Sequence, residues 1–167
     1  GEMTGGTISG NSAYRGSAIM LYGPDYGQKA EFTLSDGVIS GNTCTQLGTL
    51  QAAGAVYVER AAAFTMTGGS ITGNAGQQGA GVCVLDPGIS NTEYETTFIL
   101  DGGTISNNTA STGGGIYSYS NHVILKAGTI SGNTASMGGG VYSEGNTETY
   151  STLHMMNAVI TGNSSGD

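Results

Sequence analysis

The chain has 167 residues, 31 of them glycine, and its twelve acidic against four basic side chains leave a net charge of −8. That balance argues against nucleic-acid and anionic-membrane partners, which call for clustered Lys and Arg, and glycine costs a helix interior about 1 kcal/mol per residue. No stretch nears the ~18 apolar residues of a membrane span, and no signal peptide opens the chain.

Along the chain a five-residue phrase of the form Thr-Ile-Ser-Gly-Asn returns six times, at 7–11, 38–42, 70–74, 104–108, 129–133 and 159–163. Self-similarity at such intervals is the signature of a solenoid or propeller. Seven residues before each later Ile stands Phe32, Phe64, Phe98, Val123 or Leu153, and two residues on stands Leu34, Met66, Leu100, Leu125 or Met155. Eight residues after most of the Asn comes an aliphatic: Ile19, Val82, Ile116 and Val141, with Val56 delayed by an insertion. Register survives where side chains vary.

Each module therefore reads as three short strands with alternate residues apolar. In the fourth they are Phe98-Ile99-Leu100, Thr104-Ile105-Ser106 and Gly115-Ile116-Tyr117-Ser118. Corners such as Asp36-Gly37 and Gly102-Gly103 allow the sharp turns between the first two. The expected fold is an all-β right-handed parallel β-helix over residues 1–167, a single domain of about five three-strand coils stacked about 4.8 Å apart. Neither end shows a cap, so the chain is expected to be a fragment of a longer repeat protein. Asn11, Asn42, Asn74, Asn108, Asn133 and Asn163 should form a structural ladder, because the Asn amide both donates and accepts.

Two outer surfaces stand out. The second strand flanks each Ile with Thr, Ser or Val, an arrangement like the Thr-x-Thr faces of ice-binding solenoids, although Thr and Val also simply suit strands. The third strand places Met20, Tyr57, Cys83, Tyr117 and Tyr142 outward, and the loops that follow carry Tyr22, Tyr26, Tyr94, Tyr119 and Tyr150. Eight of nine tyrosines thus share one edge, with only Tyr14 elsewhere. Loops at this edge run ten, five, thirteen, four and nine residues, and variable loops on one edge of a repeat array mark its binding side. Tyr57, Tyr117 and Tyr142 are the expected solvent-facing platform, with Tyr94 and Tyr119 closing over a ligand. An exposed stabilising ladder of Tyr is the plainer reading.

The longest loop, Leu85 to Thr97, holds Asp86, Asn91, Glu93 and Glu95, oxygens suited to calcium, but lacks any known calcium spacing. A solvated acidic loop accounts for it, and no cofactor is expected. Cys44 and Cys83 are expected as free thiols. Asn107-Asn108-Thr109 and Asn163-Ser164-Ser165 match the glycosylation pattern, yet fall on the ladder turn. Asp101 and Lys126 should form a surface ion pair. His122 and His154 read as isolated, with no carboxylate or nucleophile beside them, so an enzyme is not expected.

The stretches Gly113-Gly114-Gly115-Ile116 and Gly138-Gly139-Gly140-Val141, with the recurring Ile-x-x-Asn, resemble polymorphic outer-membrane protein repeats and adhesin-like β-helix regions of bacterial surface proteins. The resemblance spans nearly the whole chain and implies an extracellular, surface-displayed segment that binds a host or neighbour-cell glycan or protein. A passive stalk, a pectin-lyase-like polysaccharide-active enzyme and an ice binder are the alternatives.

Overall fold

The computed structural model describes residues 1–23, 29–45, 53–85, 95–145 and 151–166, and its described residues form strands and turns with no helix. Six repeats follow one another. The first holds β1 (Glu2–Ser9), β2 (Ser12–Ala13) and β3 (Ile19–Tyr22); the second β4 (Ala30–Ser40), β5 (Thr43–Cys44) and β6 (Val56–Glu59). The third holds β7 (Ala62–Met66), β8 (Ser70–Thr72) and β9 (Val82–Leu85); the fourth β10 (Thr97–Ser106) and β11 (Ile116–Tyr119). In the fifth are β12 (His122–Ser131), β13 (Thr134–Ala135) and β14 (Val141–Glu144), and in the last β15 (Thr152–Met155), β16 (Val159–Thr161) and β17 (Ser164–Ser165).

Every strand pairs in parallel with its counterpart in the neighbouring repeat. The first and second strands build one sheet in the order β1-β4-β7-β10-β12-β15, with β8 and β16 alongside, and the third strands build another, β3-β6-β9-β11-β14. The register is the one the phrase demands: Ile8 faces Ile39, Ile39 faces Ile71, and the series runs on through Ile105, Ile130 and Ile160. In four repeats the expected first and second strands run together as one long strand, bent by a register shift at the glycine corner, as at Gly102 and Gly103 with φ of 151° and 78°. Without a Cβ, glycine turns the chain there and leaves the ladder on both sides intact.

The main core runs through the stack. Leu34, Phe64, Met66, Phe98, Leu100, Val123 and Leu125 are fully buried from the first strands, and Val56, Val82 and Ile116 from the third. Phe64 and Phe98 stack with ring centroids 5.4 Å apart and planes 12° from parallel. At the last repeat the same inward positions lie open, with Leu153 43%, Met155 49% and Ile160 39% exposed.

The asparagines form the expected ladder. Each backbone N–H and each Nδ2 from Asn11 to Asn133 donates to the Oδ1 of the next Asn, at 2.8 to 3.1 Å. From Asn42 onward, Nδ2 also donates to an Ile carbonyl in the repeat before, such as Asn108 to Ile71 at 3.1 Å. Asn42, Asn74, Asn108 and Asn133 are buried, so these bonds satisfy polar groups that water cannot reach. Asn107 stands where the other phrases have Gly; it is exposed and takes the left-handed φ of 56° that Asn tolerates.

Candidate functional site

The third-strand sheet presents two outward columns. Met20, Tyr57, Cys83, Tyr117 and Tyr142 share the first, and Tyr22, Glu59, Leu85, Tyr119 and Glu144 the second. The expected alignment of Tyr57, Tyr117 and Tyr142 is present; their expected exposure is not. Tyr57 is 0% exposed and Tyr117 3%, whereas Tyr142 and Tyr119 are half-buried. Tyr94 lies outside the described residues, as do Tyr26 and Tyr150.

The reason is a lip of backbone that sequence spacing does not reveal. Before each third strand, Arg15, Ala53, Gln78, Thr112 and Met137 pair in a one-residue-wide parallel ladder. A left-handed glycine then turns the chain inward, with φ between 52° and 63° at Gly16, Gly54, Gly79, Gly113 and Gly138. This lip runs beside the outward residues: a Cβ added to Gly79 would lie 2.9 Å from the Tyr117 Cβ and 2.2 Å from the Val82 carbonyl oxygen. Ala53, Tyr57, Cys83 and Tyr117 consequently form a second, smaller apolar cluster, separate from the main core, with Leu85, Tyr119 and Tyr142 packed on it. Cys44 and Cys83 are both buried and unpaired, as expected. The Cys44 thiol donates to the carbonyls of Ala53 and Gly54 at 3.2 and 3.0 Å.

The polar ends of these tyrosines are tied down. Tyr57 donates to Glu59 at 3.1 Å. Tyr117 and Tyr142 donate to the two oxygens of Glu144, at 2.6 and 3.1 Å, and their rings stack 5.8 Å apart and 3° from parallel. Arg15 lies 3.7 Å from the Glu59 carboxylate and sits 5.0 Å over the Tyr14 ring and 5.1 Å over the Tyr57 ring. Tyr14 therefore belongs to the same edge, contrary to the expectation that placed it elsewhere. Arg60, with φ of 51°, sits 5.2 Å over the Tyr22 ring. Tyr119 leads into a turn in which Ser120 has φ of 54° and buried Asn121 donates to the Val84 and Tyr119 carbonyls at 2.6 and 2.9 Å.

Burial pushes the Tyr57 and Tyr117 phenols well above their ordinary range, and for Tyr117 the hydrogen bond to Glu144 adds to the rise. Burial raises the Cys83 thiol in the same direction. A raised pKa means that the fold keeps the proton longer than the unfolded chain does. The stability tied to it is whole below about pH 8, starts to be lost as the unfolded thiol and then the unfolded phenols ionise between about pH 8.5 and 10, and goes on falling as the pH climbs toward the higher values of the folded groups. We expect the urea midpoint to fall over that window in the natural chain and to fall less in the Tyr57→Phe/Tyr117→Phe variant. Parallel pH profiles for the two proteins would remove the buried phenols as the cause.

Elsewhere, the expected isolation of His122 is corrected. Its Nε2 lies 3.2 Å from Glu95, and its Nδ1 bonds the Thr152 hydroxyl across the β12–β15 pair. The order hydroxyl, imidazole, carboxylate resembles a proton relay, but the His122 and Glu95 side chains are 32% and 44% exposed, so water reaches the pair. The Asp101–Lys126 pair forms at 3.6 Å, with both side chains 43% exposed, and contributes little. Asp86, Asn91 and Glu93 of the suggested calcium loop lie outside the described residues. Among the described residues no three His, Cys, Asp or Glu side chains group to hold a metal.

The lip and Arg15 were invisible in the sequence because they bring distant segments together. The Tyr57-Val58-Glu59 and Tyr142-Ser143-Glu144 units were not, since an i, i+2 pair on a strand shares one face. No protein-family model, no curated protein and no solved structure matches this chain.

Proposed function

We propose that the chain is a right-handed parallel β-helix segment of an extracellular bacterial surface protein, and that it works as an adhesin-like recognition module without catalysis. Its binding surface is the third-strand edge, and its partner a glycan or protein on a host or neighbouring cell. One observation carries the reading. By sequence, eight of the nine tyrosines lie in the third strands or the loops that follow them, and those loops vary in length, whereas the turn after the second strand is held by the asparagine ladder.

Within that edge the roles differ from residue to residue. Tyr57 and Tyr117 are foundations, buried and hydrogen-bonded. The accessible contact groups are Tyr22 at 47% exposure and the half-buried Tyr119, Tyr142 and Glu144. Aromatic rings with polar tips suit such a surface, because they add contact area at low entropic cost.

The test is a glycan and cell-surface-protein array probed with the labelled chain and with Tyr119→Ala/Tyr142→Ala. Removing two partly exposed rings should weaken binding at least about tenfold while circular dichroism stays unchanged. Equal binding by both proteins would sink the edge as the contact surface.

A further inference from the structure

The edge holds one structural unit twice, and only one copy is complete. Tyr57-x-Glu59 and Tyr142-x-Glu144 occupy the same two columns, and in both the tyrosine hydroxyl donates to the glutamate two residues on, at 3.1 Å. At the first copy a guanidinium finishes the arrangement: Arg15 reaches Glu59 at 3.7 Å and covers the rings of Tyr57 and Tyr14. Arg15 comes from the lip one repeat earlier.

At the second copy the lip residue one repeat earlier is Thr112, too short and neutral. Glu144 there holds two tyrosine hydroxyls, from Tyr117 and Tyr142, and has no cationic partner among the described residues. The two hydroxyls orient the carboxylate but leave each oxygen a further lone pair. The two stacked rings beside it replace the Tyr14–Tyr57 pair of the first copy.

We propose that Tyr117, Tyr142 and Glu144 receive the guanidinium of an arginine on a protein partner, taking from outside what Arg15 supplies from within at Tyr57 and Glu59. The assignment rests on the reading of this edge as a recognition surface, and it selects a basic protein segment over a neutral glycan. Guanidinium fits better than ammonium because its plane stacks on an aromatic face while its edge donates to a carboxylate. The net charge of −8 favours the same class of partner and speeds its approach.

Hexa-arginine is the probe, titrated against the natural chain, Glu144→Gln and, as a control for overall charge, Glu2→Gln on the exposed start of β1. Glu144→Gln should bind about fivefold more weakly than Glu2→Gln, the loss set by one exposed ion pair and its cation–π contact. Thr112→Arg, which rebuilds the first copy's arrangement, should suppress binding to a similar degree. Hexalysine should distinguish the two glutamate variants less. Equal losses in Glu144→Gln and Glu2→Gln, or full binding by Thr112→Arg, would overturn the assignment, since attraction would then be to charge alone. An array partner lost on Tyr119→Ala/Tyr142→Ala but kept by Glu144→Gln would also overturn it, while leaving the edge reading in place. If instead no array partner depends on the tyrosines, the edge reading falls, and the hexa-arginine comparison still decides the arginine site.

Discussion

Asn108→Ala is expected to cost the fold about 4 kcal/mol, a large effect for a single side-chain truncation. The side chain sits at the centre of the ladder and serves both neighbours. Its Oδ1 accepts from the N–H and Nδ2 of Asn74 at 2.9 and 3.0 Å, and its Nδ2 donates to Asn133 and to the Ile71 carbonyl. Truncation to Ala leaves the buried Asn74 N–H and the Ile71 carbonyl without these partners and takes from Asn74 Nδ2 one of its two, the Ile39 carbonyl at 3.1 Å remaining. Each orphaned group costs about 1–3 kcal/mol, while a satisfied bond contributes only about 1. Asn11→Ala removes the exposed end of the same ladder, where water replaces the lost partner, and should cost less than about 1 kcal/mol. Urea unfolding of both variants beside the natural chain measures the contrast. A similar loss in the two would mean that the ladder does not stabilise the stack by satisfying buried groups.

Phe98→Ala should cost about as much, roughly 3–5 kcal/mol, for an unrelated reason. The ring is fully buried and stacked on Phe64, with Val123 beyond it in the next repeat. Removing it opens a cavity between repeats whose backbones are tied by parallel ladders on both sides and cannot close on the gap. Phe98→Leu should lose much less, because the same column already accepts Leu153 and Val123 in other repeats. Phe32→Ala, near the first repeat and only partly buried, should fall between the two. Thermal and urea unfolding give the ranking; a Phe98→Ala loss no larger than that of Phe98→Leu would show that the stack relaxes around the cavity.

Both predictions concern residues whose place was legible before any coordinates. The spacing of Phe98, Ile105 and Asn108 recurs in neighbouring modules, and a repeat can bury its apolar side only against the next copy of itself. Strand pairing, register, the Phe and Ile columns and the Asn ladder follow from that one fact. The Tyr column was legible too, because alternation on a strand sends Tyr57, Tyr117 and Tyr142 to one side.

Alternation does not say what lies on that side. The solvent-facing platform expected at Tyr57 and Tyr117 is a second small core, covered by the lip of Ala53, Gln78 and Thr112. That lip depends on left-handed glycines at Gly54, Gly79 and Gly113, and glycine is so frequent here that no single one announces a turn. Arg15 meets Glu59, and Glu95 meets His122, across 44 and 27 residues of sequence. The repeat determined this chain's ladders and main core by itself, since those contacts join like to like at a fixed period. The exposure of each tyrosine and the pairing of each charge were decided only by the tertiary structure, because they join unlike residues from segments whose lengths do not repeat.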